Sequence, residues 1–165
     1  MTPVYSFPPI SDHGARTLIL GSMPGVASLA AEQYYAHPRN CFWKIVTELF
    51  AADADLSYSA RATLLNSQGI ALWDVLASCR RPGSLDSAID EGSIVTNDFV
   101  EFFARHPSID RVFFNGQKAE QSYRRHVLGQ LVDDQRRYQR LPSTSPANAS
   151  MNYQDKLAAW QAIVG

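Results

Sequence analysis

Cysteine is scarce in this chain. Only Cys41 and Cys79 are present. Two thiols exclude a four-cysteine cluster within one chain and argue for a reduced compartment. The four histidines and two cysteines lack metal-ligand spacing, so no metal site is expected. No apolar run approaches the 18 residues of a membrane span. The start, Met1–Tyr5, has neither the basic stretch nor the apolar stretch of a secretory signal, and a cytoplasmic location is expected. Neither sign of charge dominates: 15 Lys and Arg face 16 Asp and Glu, a net charge of -1. Any contact with nucleic acid must therefore come from a local patch, because the overall charge gives no basic signature.

Against those absences stands an apolar fraction of 45% with 19% charged residues, enough for a packed core in one domain spanning 1–165. Residues 1–15 carry Pro3, Pro8, Pro9 and Gly14 and read as an irregular arm. Strands are expected at Thr17–Leu20, Gly69–Leu76, Arg111–Phe114 and Tyr138–Leu141. Helices are expected at Ser28–Tyr34, Cys41–Ala52, Ser59–Ser67, Ile94–Arg105, Lys118–Leu128 and Met151–Val164, the last with Leu157, Ala158, Trp160 and Ile163 inward. Strands alternating with helices imply an α/β fold, a three-layer α/β/α sandwich around a mostly parallel four-stranded sheet. In such sheets ligands sit beyond the carboxyl ends of the strands. Three loops leave those ends, at 21–40, 77–93 and 142–150, and they locate a site.

The densest chemistry lies in the first of these loops. Gly21-Ser22-Met23-Pro24-Gly25 follows a strand, and its glycines and proline form a tight turn that can aim backbone N–H groups at a ligand. No Gly-Lys-Ser/Thr follows, so it is not a P-loop; an ordinary turn is the competing reading. Tyr34-Tyr35-Ala36-His37-Pro38-Arg39-Asn40-Cys41-Phe42-Trp43-Lys44 then sets π faces and hydrogen-bonding groups together, as suits a pocket for a flat, polar ring. Tyr35 can stack on a nucleobase, worth about 1–3 kcal/mol, or simply pack at the core rim. His37 can contact phosphate, although a His before Pro often serves loop geometry. Asn40 reads first as a helix N-cap; the same position lets its amide orient a water.

Leu141-Pro142-Ser143-Thr144-Ser145-Pro146-Ala147-Asn148 is a loop of small residues stiffened by prolines. It can enter a DNA minor groove, with hydroxyls on phosphates, or merely precede the last helix. Arg136, Arg137 and Arg140 just upstream can neutralise phosphates, though a basic run is commonly a solvated face. Asp74 and Asp86 flank the Arg80–Gly83 loop. A paired-carboxylate mechanism needs both in one cleft, which spacing alone does not show.

Together, Gly21–Gly25, Tyr34–Lys44 and Leu141–Asn148 resemble the motifs of the uracil-DNA glycosylase superfamily, and within it the hypoxanthine (deoxyinosine) branch. Gly69–Val75, Arg81–Asp86 and Val112–Gly116 extend the resemblance to roughly residues 17 to 163. It implies a monofunctional DNA N-glycosylase that acts on single- or double-stranded DNA and removes a flipped, deaminated base, with hypoxanthine the first choice. It further implies no cofactor, metal, iron–sulfur cluster or membrane partner, and association with the nucleoid during repair. The base would be held by Gly21, Ser22, Met23, Pro24, Gly25 and Tyr35. DNA would be met by His37, Arg39, Ser143, Thr144, Ser145, Pro146, Ala147 and Asn148.

Many relatives place Asn, Asp or Glu at the middle of the first motif to activate water. Met23 stands there and cannot do this, so the resemblance assigns catalysis to Asn40. Two alternatives follow: a uracil- or mismatch-specific glycosylase, and a non-catalytic binder of damaged DNA or of a nucleotide.

Overall fold

The structure is a computed structural model describing residues 1–165. Seven strands are formed: Val4–Tyr5 (β1), Thr17–Gly21 (β2), Ile70–Asp74 (β3), Leu76–Cys79 (β4), Val95–Thr96 (β5), Arg111–Asn115 (β6) and Arg137–Leu141 (β7). The α-helices are Val26–Ala31 (α1), Phe42–Leu49 (α2), Tyr58–Ser67 (α3), Phe99–Arg105 (α4), Gln117–His126 (α5) and Tyr153–Trp160 (α6). The main sheet has the order β3-β2-β6-β7 and is parallel throughout. Its inner strands are buried on both faces, which explains their unbroken apolar runs. Leu18, Leu20, Ala71, Trp73, Val112 and Phe114 enter one core with Phe99, Phe102 and Tyr123. Ile19, Ile70, Leu72 and Phe113 enter the other with Phe42, Ile45, Val46 and Trp160. The α/β sandwich expected from the sequence is therefore present, with helices on both faces.

Several boundaries differ from the expectation. The run Gly69–Leu76 is two strands. β3 stops at Asp74, and Leu76–Cys79 belongs to a small antiparallel sheet of order β1-β4-β5. Both sheets bury this segment, so hydrophobicity carries no mark of the break. Val75 N–H donates to the Gly21 carbonyl and Leu76 N–H to that of Ser22, so the chain follows the first motif as it leaves the sheet. Residues 94–105 are likewise a short strand followed by α4. Asp98 caps that helix by accepting from Glu101 N–H, a start signal legible in Asp-x-x-Glu. The N-terminal arm is irregular but docked: β1 pairs with β4, Ile10 bridges Leu72, and Phe7 and Pro8 carbonyls accept from the Tyr34 hydroxyl. The last helix is shorter than expected, capped by Asn152 and followed by a 3-10 turn at Gln161–Ile163. Ala158 is exposed, and Lys156 is buried in its place. No helix is long and apolar enough to cross a membrane.

Candidate active site

A cleft of about 750 Å³ opens beyond the carboxyl ends of β2, β3, β6 and β7. It gathers Gly21–Gly25, Tyr35, His37, Asn40 and Ser143–Asn148 on one lining, together with Asp74 and Ser84–Ser87. Of the residues expected to hold the base, meet the DNA or orient water, Arg39 alone stands outside this lining, exposed on the surface.

The first motif forms the floor. β2 ends at Gly21, and the chain turns through Pro24 before α1. The backbone N–H groups of Ser22, Met23 and Gly25 donate to no protein acceptor, leaving three donors at the cleft. Met23 is buried in the core beneath. The turn is held by the loop after β4. Arg81, only 4% exposed, donates through Nη2 to the Pro24 carbonyl at 2.6 Å and through Nε to the Gly83 carbonyl at 2.8 Å. Ser84 Oγ accepts from Val26 N–H, and Ser22 Oγ donates to Asp86. Arg81→Ala should cost about 1–3 kcal/mol, since it strands the buried Pro24 carbonyl and loses the bond to Gly83, and thermal unfolding reads that loss directly.

Tyr35 adopts φ +55°, a conformation that is strained for a bulky side chain. Its ring packs on Phe42 at 4.3 Å and stays partly exposed along the cleft. Its hydroxyl points inward and is buried with no hydrogen-bond partner. The nearby Asn115 amide favours its charged form, and is itself bonded to Thr144: Nδ2 donates to Oγ1, and Oδ1 accepts from Thr144 N–H.

Asn40 is not the formal cap of a helix starting at Cys41. The helix starts at Phe42, with Cys41 in the cap position, yet Asn40 Oδ1 accepts from Phe42 N–H at 3.0 Å and performs the same service one residue earlier. One lone pair of Oδ1 and both protons of Nδ2 remain for a ligand. His37 Nδ1 accepts from Arg39 N–H, so its ring braces the loop as well as lining the cleft.

In the second motif, Thr144 is 1% exposed. Its hydroxyl is held by Asn115 and its carbonyl accepts from Cys41 N–H. It therefore ties the 142–148 loop to the start of α2, while Ser143, Ser145, Pro146, Ala147 and Asn148 stay more accessible. Among the upstream arginines, Arg136 is paired with Asp134, whereas Arg140 reaches the cleft rim and approaches Glu120 at 3.6 Å.

The main residue that sequence reasoning left undecided is Asp74. It is the last residue of β3 and is 3% exposed; its Oδ2 has no partner. Its Oδ1 and the Tyr35 hydroxyl both crowd Gly21: a Cβ there would stand 2.5 Å from the first and 2.7 Å from the second. Burial, reinforced by Asp86 and opposed by Arg81, lifts the Asp74 carboxyl to about 7. Asp86 is exposed as a residue on the rim, but its carboxyl is tucked against the cleft, and that burial pushes it upward against the Ser22 hydroxyl, Arg81 and Lys118, which favour the charged form. A polar residue closing a buried strand at the ligand end of the sheet was the available signal. No group of three or more His, Cys, Asp or Glu side chains converges as a metal site would require.

The fold and site define an α/β protein with a polar, aromatic cleft at the carboxyl ends of a parallel sheet. Residues 8–164 match the family model described as the uracil DNA glycosylase superfamily. The hypoxanthine DNA glycosylase of Methanosarcina acetivorans is 33% identical over 158 residues, 95% of each chain. That of Methanosarcina barkeri is 37% identical over 114 residues, 68% of this chain and 71% of the relative. A solution NMR structure of a candidate uracil DNA glycosylase from Methanosarcina acetivorans superposes with a TM-score of 0.79 at 31% identity, covering 98% of this chain and 99% of that one. The chain belongs to the uracil DNA glycosylase superfamily. It is thereby a DNA N-glycosylase, a hydrolase of the bond between base and sugar.

Proposed function

We propose that this glycosylase removes hypoxanthine from deoxyinosine in DNA. The observation that carries the reading is the convergence, in one cleft, of three free backbone N–H groups, the Tyr35 ring and the Asn40 amide. The two relatives named hypoxanthine DNA glycosylase support the choice of base. The target nucleotide leaves the stack and its base enters the cleft beside Tyr35. As the glycosidic bond lengthens, the sugar gains oxocarbenium character and negative charge grows on the base. The N–H groups of Ser22, Met23 and Gly25 stabilise that charge. Asn40 orients the water that attacks C1′. An amide suffices because departure of the base leads formation of the new bond. His37, Arg39, Ser143, Ser145, Pro146, Ala147 and Asn148 meet the DNA, and Thr144 fixes their loop.

Excision assays on duplex and single-stranded substrates carrying hypoxanthine, uracil, xanthine or mismatched thymine test the reading, with alkali cleavage of the abasic product as readout. Hypoxanthine should be released fastest. Release of uracil more than tenfold faster would reassign the base. A shifted DNA band with no strand break after alkali would make the protein a binder.

A further inference from the structure

The cleft floor holds two buried polar groups without partners, Asp74 Oδ2 and the Tyr35 hydroxyl, and both side chains converge on Gly21. Folding alone gives no reason to leave them so. A buried polar group without a partner costs stability, and such a cost persists where a ligand later supplies the partner. We propose that Asp74 is a catalytic acid: its carboxyl, carrying a proton, meets the lactam edge of the flipped base and delivers that proton as the base departs. This rests on the glycosylase reading above and extends it to the leaving group.

The step balances. The C1′–N bond breaks, and its electron pair stays with the base. The Asp74 proton passes to the lactam oxygen, so the base leaves neutral. Water oxygen bonds to C1′, and the surplus proton of that water returns through solvent to the Asp74 carboxylate. A lactam oxygen is common to hypoxanthine, uracil and xanthine and is absent from adenine, so an acid at this place tells hypoxanthine from its parent adenine; guanine and thymine carry the same group, and the cleft must reject them by other contacts. The Tyr35 hydroxyl adds a second donor beside the same edge.

Titratable and charged groups face Asp74 from three elements. Asp86 and Arg81 approach from the loop after β4, Tyr34 and Tyr35 from the connection between α1 and α2, and Tyr58 from the start of α3. Burial comes first and Asp86 second in disfavouring the anion; Arg81 opposes them. The carboxyl is therefore neutral below about pH 7 and charged above it. Excision that requires the neutral form is full below that value and is lost as pH rises through it.

The test is single-turnover excision of hypoxanthine from inosine-containing duplex between pH 5.5 and 9, for wild type, Asp74→Asn and Asp74→Ala. Wild type should lose about tenfold per pH unit above the midpoint. Asp74→Asn should be slower at pH 6 and flat across the range, and Asp74→Ala slower still. The folded state holds a proton that an unfolded Asp would release, so wild-type stability falls as pH rises towards 7. Asp74→Asn removes that dependence, and its Tm advantage should be larger at pH 8 than at pH 5. Carbon-13 titration of the Asp74 carboxyl in the DNA-free wild type needs no variant. A midpoint near 7 is expected, and one below 5 would overturn the proposal. So would an Asp74→Asn protein that keeps the descending limb or the wild-type rate. A wild type that releases no base at any pH overturns the glycosylase reading and this inference with it; base release with a limb indifferent to Asp74 overturns this inference alone.

Discussion

Asn40→Ala should lower single-turnover excision by about 100- to 1,000-fold, the range expected when one preorganised polar group is removed from a reacting centre. The residue has two connected jobs. Its Oδ1 accepts from Phe42 N–H, which fixes the side chain at the mouth of α2, and its remaining hydrogen-bonding capacity faces the cleft. Losing the helix-start bond costs about 1 kcal/mol, far too little to unfold a domain. A fall in rate that tracked only the unfolded fraction would reduce Asn40 to a cap. Asn40→Asp separates the two jobs. It retains an acceptor for Phe42 N–H, and so the stability, while offering water a carboxylate oxygen; stability near wild type with partial activity is expected. Excision at the wild-type rate by Asn40→Ala would remove the residue from the chemistry.

The two inner strands of the sheet were legible because they are apolar runs closed by Gly or Asn: Thr17–Gly21 and Arg111–Asn115 end where the runs end. Hydrophobicity was silent at Val75, where the chain passes from one buried sheet to another. The Asp98–Glu101 helix start was present in the letters but was outweighed by the apolar residues ahead of it. The cleft residues from the first and second motifs were legible because each follows a strand in the loop where ligands gather. Asp74 was named yet undecided. Its meaning depends on burial, on the orphaned Oδ2 and on the approach of Tyr35 from 39 positions earlier, none of which is a property of local spacing. Thr144 differs in kind. Its residue type suits phosphate contact, but its hydrogen bonds to Asn115 and Cys41 make it part of the frame.

Gly21→Ala should cut excision at least about 100-fold, because small displacements of a reacting constellation carry penalties of that size. The added methyl would stand 2.5 Å from Asp74 Oδ1 and 2.7 Å from the Tyr35 hydroxyl, both inside contact distance. Neither neighbour can yield easily. Asp74 is 3% exposed at the end of a paired strand, and Tyr35 is pinned between the Phe42 ring and a left-handed backbone. Relief must come from moving the carboxyl, the phenol or the floor of the cleft, and overpacking of this kind costs about 1–3 kcal/mol of stability. Single-turnover kinetics and denaturant unfolding measure the two losses separately. Gly25→Ala is the internal control. Its methyl would meet only the Ser84 side chain on the rim, Oγ at 3.3 Å and Cβ at 3.5 Å, and leaves the Gly25 N–H in place, so a much smaller loss is expected. In an Asp74→Asn background, the Gly21→Ala change should cost less activity than it does alone, since residues acting on the same reacting atoms are not additive. Full additivity, or a Gly21→Ala protein within threefold of wild type, would show that the Gly21–Asp74–Tyr35 contact lies away from the reacting base.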